Sequence, residues 1–138
     1  MTLNWLGVAA GAATFFGIWL GHVSIRKVEA ASPSLWLPTA VALAFGLALE
    51  IAALMSANRY LSATLGIVGI TLLWDALEFW RQQKRVAHGH APANPQNPRH
   101  ARLLAASKSA TPINWLDREP LGRPATPNSI WLHQESAP

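Results

Sequence analysis

The chain has no cysteine. That alone excludes disulfides, thiolate zinc sites, iron–sulfur clusters and cysteine nucleophiles. Charge is also scarce. Asp, Glu, Lys and Arg make up 13% of the 138 residues while 51% are hydrophobic, which is not the balance of a soluble domain. A phosphate-cradling glycine loop, a dinucleotide fingerprint and a nucleophile motif are all missing. No nucleic-acid recognition motif accompanies the basic balance, so nucleic acid is not an expected partner. No positively charged segment precedes the first apolar run, which argues for a retained helix rather than a cleaved signal. These absences leave no residues for an enzyme, and no catalytic activity is expected.

What the chain does have is three long apolar runs, at residues 3–23, 35–55 and 61–80. A bilayer core takes about 20 apolar residues per helical span. The expected fold is therefore all-α: an integral membrane three-helix domain over residues 1–88, followed by a Pro-rich basic tail over 89–138. Eight of the ten prolines lie after Trp80, so the tail has little means of building a core of its own. Charge divides at the same place. Residues 1–80 carry Arg26, Lys27 and Arg59 against Glu29, Glu50, Asp75 and Glu78, whereas residues 81–138 carry eight Lys/Arg against three acids.

That division predicts orientation. With three spans, the first loop shares a side with the tail. Arg26 and Lys27 then join Arg81, Lys84 and Arg85, against Arg59 alone on the other side. The positive-inside rule puts the tail in the cytoplasm and the N-terminus outside. Trp5 and Tyr60 are expected at the outer interface, and Trp19, Trp36 and Trp80 at the inner one, beside anionic lipid.

Small residues mark the expected packing faces. The first run has Gly7, Gly11, Thr14, Gly17 and Gly21 in one helical row, containing two GxxxG steps. The second has Thr39, Ala42, Gly46, Ala53 and Ala57, and the third Ser62, Gly66 and Gly69. Such faces let backbones approach in lipid. A tight antiparallel bundle is expected, although GxxxG serves a homodimer equally well.

Ionisable residues inside a span are costly and point to function by default. Glu50 lies in the second span, Asp75 and Glu78 in the third. Possible partners for Asp75 and Glu78 are His22, Arg26 and Lys27, with Arg81 three residues past Glu78. Glu50 pairs with Arg59, carries a proton, or faces another subunit. A second histidine near a span, needed for bis-histidine haem, is missing, and His88, His90 and His100 lack a fixed scaffold for a metal. No metal or cofactor is expected; bound lipid is.

Several segments carry a family pattern: Asn4-Trp5-Leu6-Gly7, Gly21-His22 with Lys27 and Glu29, and Leu65-Gly66-Ile67-Val68-Gly69. Glu78 with Gln83-Lys84-Arg85-Val86, then Gly89-His90, Pro92, Asn94-Pro95 and Arg99, completes it. Over about residues 3–100 the chain resembles the bacterial domain-of-unknown-function family 4491. The resemblance implies three spans in a bacterial inner membrane. It implies no activity, so it assigns no catalytic residue.

The third helix should run to about Val86 and stop at Gly89, with turns at Asn94-Pro95 and Asn97-Pro98 and a short helix within residues 99–109. Farther on, Trp115-Leu116 and Trp131-Leu132 are candidate contacts with a partner or the membrane. Together these features point to a non-catalytic accessory subunit of a larger membrane complex, respiratory or photosynthetic among the candidates. Its partners would be other integral membrane subunits and anionic lipid. The alternative is a homo-oligomeric ion or small-molecule channel using the intramembrane carboxylates.

Overall fold

The computed structural model describes residues 4–114, which form α1 (Trp5–Ala31), α2 (Trp36–Met55), α3 (Arg59–Ala87) and α4 (Pro98–Ala106). Asparagine starts three of the four. The Asn4, Asn58 and Asn97 side chains accept from the first-turn amides of α1, α3 and α4, satisfying donors that lack an intrahelical partner. Pro98 opens α4, where its missing N–H is no loss. Lys84 and Arg85 sit in the last turn of α3, favourable against its dipole. That helix stops where the chain turns left-handed at Gly89, φ 75°. A Cβ there would also run into the Ser109 carbonyl, so glycine is required twice over.

The first three helices are long and apolar enough to cross a membrane. Their outward side chains, among them Phe15, Phe16, Leu20, Phe45, Leu54 and Ile70, are apolar and exposed, as lipid allows and water does not. The protein is a multi-pass membrane protein. α1 and α3 outrun their apolar stretches. At 1.5 Å per residue they reach about 40 Å, past a hydrocarbon core of about 30 Å. The surplus turns carry Arg26, Lys27 and Glu29 on α1 and Arg81 to Arg85 on α3, all at one end. We call this the basic end. Trp36 and Trp80 meet edge to face there, ring centroids 5.6 Å apart.

The packing is centred on α3. Both α1 and α2 lie against it, and they have no comparable contact with each other. The arrangement is thus more open than a tight three-way bundle. The reason is that α3 offers small or short side chains on two faces. Gly66 and Gly69 face α2, and Thr71 and Asp75 face Gly17 and Gly21 of α1. The paired positions show α1 running parallel to α3, and α2 antiparallel. The α2 face is the one expected: Thr39, Ala42, Gly46 and Ala53 are buried. Ser62 Oγ donates to the Ala53 carbonyl at 2.8 Å, closing the far end of that seam.

Of the proposed packing residues, Gly17, Gly21, Gly46, Gly66 and Gly69 lie at helix contacts. Gly7, Gly11 and Thr14 do not. A Cβ at Gly11 would meet nothing, one at Gly7 only Asn4 of its own cap, and Thr14 is exposed with its hydroxyl on the Ala10 carbonyl. Among the described residues the first GxxxG step therefore meets no other helix. α1 leans on α3 only through its second half.

Candidate functional site

The most completely built polar site lies at the basic end and joins segments 70 residues apart. Glu29, in the last turns of α1, is 1% exposed, and His100, in the first turn of α4, is 0% exposed. Arg99 Nη1 donates to Glu29 Oε1 at 2.8 Å, and its Nη2 donates to the Glu29 carbonyl. The remaining guanidinium nitrogen, Nε, reaches the Ser32 carbonyl at 3.3 Å. His100 Nε2 lies 2.9 Å from the same Oε1, and the Asn94 amide donates to His100 Nδ1 at 2.8 Å. Nδ1 is therefore the acceptor, so Nε2 carries the proton and donates to Glu29. One carboxylate thus takes a charged donor and a neutral one.

Two asparagines complete the junction. Asn94 and Asn97 each donate their Nδ2 to the Ala30 carbonyl at 3.0 Å, and Asn97 also reaches Ser32 O at 2.9 Å. The end of a helix leaves carbonyls without partners. Here the segment after α3 supplies them. Asn97 serves both ends at once, since its Oδ1 caps α4 through the Arg99 amide. The run Asn94-Pro95-Gln96-Asn97-Pro98-Arg99-His100 is thus a latch that binds the residues following α3 to the end of α1. The expected turn falls at Asn94-Pro95, and Asn97-Pro98 is the start of α4. Nothing in the sequence reading paired Glu29 with Arg99 or His100. The available signals were the repeated Asn-Pro step and a carboxylate near the end of the first span.

Deeper along the seam of α1 and α3 lies a groove of about 360 Å³. His22, Asp75 and Glu78 line it among Ile18, Ile25 and Trp74. His22, an expected partner of the two carboxylates, shares the groove with them but bonds to neither among the described residues. Glu78 is held by Arg81 Nη1 at 2.8 Å and by Arg85 Nη2 at 3.1 Å. Arg81 also lies over the Trp74 ring, 4.7 Å from its centroid. Arg81 is thus the partner foreseen, and Arg85 is added two turns on. Arg26 and Lys27 pair with neither carboxylate among the described residues. Asp75 rests against Gly21, where a Cβ would come within 2.9 Å of both carboxylate oxygens.

Glu50 sits at the α2–α3 seam against a glycine notch. A Cβ on Gly69 would fall 2.7 Å from its Oε1, and one on Gly66 4.0 Å from its Oε2. Oε1 is buried without a hydrogen-bond partner among the described residues. Arg59 does not reach it. That guanidinium lies over Tyr60 instead, 5.4 Å from the ring centroid. Among the described residues no group of three His, Asp or Glu side chains could hold a metal. Trp115, Leu116, Trp131 and Leu132 lie outside the described residues.

No curated protein and no solved structure matches this chain. Residues 4–97 match a family described as Domain of unknown function (DUF4491). The matched stretch holds all three spans and both latch asparagines, and on that match the chain belongs to the DUF4491 family.

Proposed function

We propose that the protein is a non-catalytic accessory subunit of a larger membrane complex in the bacterial inner membrane. Its N-terminus is outside and its basic end in the cytoplasm. The observation that carries this reading is the divided glycine row of α1. Gly17 and Gly21 are filled by α3, whereas among the described residues Gly11 meets nothing and Gly7 only the Asn4 side chain of its own cap. Close backbone approach drives helix association in lipid, where apolar burial does not. A vacant GxxxG step in a membrane span suits the helix of another subunit. The collection of Arg26, Lys27, Arg81, Lys84, Arg85, Arg99 and Arg102 at one end, against Arg59 at the other, supports the orientation.

Gly11→Leu tests it. A Cβ there meets nothing among the described residues, so the melting of the purified protein is expected to stay close to the parent's. Co-purification with larger membrane subunits, from native membranes in mild detergent, is expected to be lost. Unchanged co-purification would defeat the role given to this face. A parent protein that migrates alone as a homo-oligomer, dissociated by Gly11→Leu, would turn the reading toward self-association.

Glu50 favours a second reading, a homo-oligomeric channel or transporter. A buried carboxylate oxygen without a partner is rare and costly. Glu50→Gln is then expected to abolish ion flux through the protein in liposomes. Absence of flux in the parent would end that reading.

A further inference from the structure

We propose that the basic end of the α1–α3 seam is a binding site for the phosphate headgroup of an anionic phospholipid. Two adjoining grooves, about 370 Å³ and 280 Å³, share Arg26, Gln82 and Pro92 as walls. Lys27 lines the first, and Arg85 and His90 line the second. These groups come from three places in the chain: α1, the last turns of α3 and the turn after Gly89. The positive-inside rule accounts for cations at this end but not for their convergence on one cleft.

Arg85 shares its charge with Glu78, but the two cations that α1 brings to the cleft are not used internally. Arg26 and Lys27 have no hydrogen bond or ion pair among the described residues. Among the described residues the one carboxylate in either lining is Glu29, and Arg99 and His100 already hold it. The latch therefore leaves the cleft cationic. Gln82 is buried, and its Oε1 accepts from Arg85 Nη1 at 3.1 Å, which orients that guanidinium. Two guanidinium groups, a lysine and an imidazole suit a phosphate, whose oxygens match the arginine fork.

Depth selects a lipid. Arg26 follows the apolar stretch of α1, and Arg85 lies just past Trp80, whose ring meets Trp36 in the position of an interfacial belt. The cleft is thus at headgroup level. Deeper along the same seam runs the groove already described, whose apolar wall of Ile18, Ile25, Ile70 and Trp74 offers a course for an acyl chain beside His22, Asp75 and Glu78. The Glu78–Arg85 pair joins the two levels, since Glu78 lines the deep groove and Arg85 the shallow one.

The full chain, purified in mild detergent, is titrated with phosphatidylglycerol and with phosphatidylcholine of the same acyl chains, and bound lipid is counted by native mass spectrometry. Phosphatidylglycerol is expected to bind in preference. Arg26→Gln with Lys27→Gln should weaken it about thirtyfold, two cations at the strength of juxtamembrane contacts. Arg102→Gln, outside the cleft, should leave it unchanged. Melting of each variant confirms that the fold persists. Equal binding of the two lipids, or undiminished phosphatidylglycerol binding by the double variant, would overturn the site. Displacement of the lipid by glycerol phosphate at the same concentration would make the ligand a soluble phosphate ester and overturn the lipid assignment.

Discussion

Arg99→Ala is expected to open the latch. Among the described residues it removes the one cation bonded to Glu29 and leaves that buried carboxylate with His100. Breaking a buried ion pair from one side costs about 3–5 kcal/mol. The Ala30 carbonyl keeps its asparagine donors, but the Glu29 and Ser32 carbonyls lose theirs from Arg99. Hydrogen exchange at the Asn94 amide reads the opening, because its acceptor, His100 Nδ1, is positioned by the Glu29 carboxylate. A loss of 3 kcal/mol corresponds to exchange faster by about a hundredfold. Glu29→Ala should have an effect of the same order, since it strands Arg99 and His100 together. The combined Glu29→Leu, Arg99→Met variant should recover much of the loss, because an apolar pair avoids desolvating either charge. Unchanged exchange in Arg99→Ala would mean that the asparagines alone hold the segment.

Gly46→Val is expected to force α2 and α3 apart. Even a Cβ at Gly46 would lie 2.8 Å from Leu73 Cγ and Cδ2 and 3.0 Å from the Gly69 carbonyl oxygen. The leucine could rotate away, but the carbonyl belongs to the backbone of the facing helix. On the other side, a Cβ at Gly69 would lie 3.1 Å from the Gly46 carbonyl. The two backbones are in direct contact, and nothing between them can be trimmed. Overpacking of this kind costs about 1–3 kcal/mol, and the γ-methyls of valine put this case at the top of that range. Thermal unfolding in detergent micelles measures it. Gly11→Val, on an open face, is the control and should melt close to the parent. Equal melting of all three proteins would show that the glycine contact contributes little.

How much of this was legible in the sequence depends on range. Span number, the stop of α3 at Gly89 and most of the small face of α2 follow from neighbours within a few turns, and they read correctly, although Ala57 falls past the end of α2 and is exposed. Arg81 was found as a partner of Glu78 because it is three residues away on one helix. Arg85, seven residues from Glu78, needed the long guanidinium to bend back along the helix. Arg59 was nine residues from Glu50 and at the right end of α2, but its own neighbour Tyr60 took it. The latch was out of reach. Glu29 has Arg26 and Lys27 close by in sequence and in the same groove, yet neither bonds to it among the described residues, and its partners come from 70 and 71 residues on.

By itself, then, the sequence determined that three helices cross a membrane, where each begins, which faces carry small residues and at which end the cations gather. Those properties rest on transfer to lipid, capping and helical periodicity, all of which act locally. Tertiary structure alone decided which glycines are filled and which stand open, that α3 is the common partner, and that Glu29 is neutralised from beyond the last span. These outcomes rest on how closely two backbones can approach, and on charges that meet only once three helices have packed.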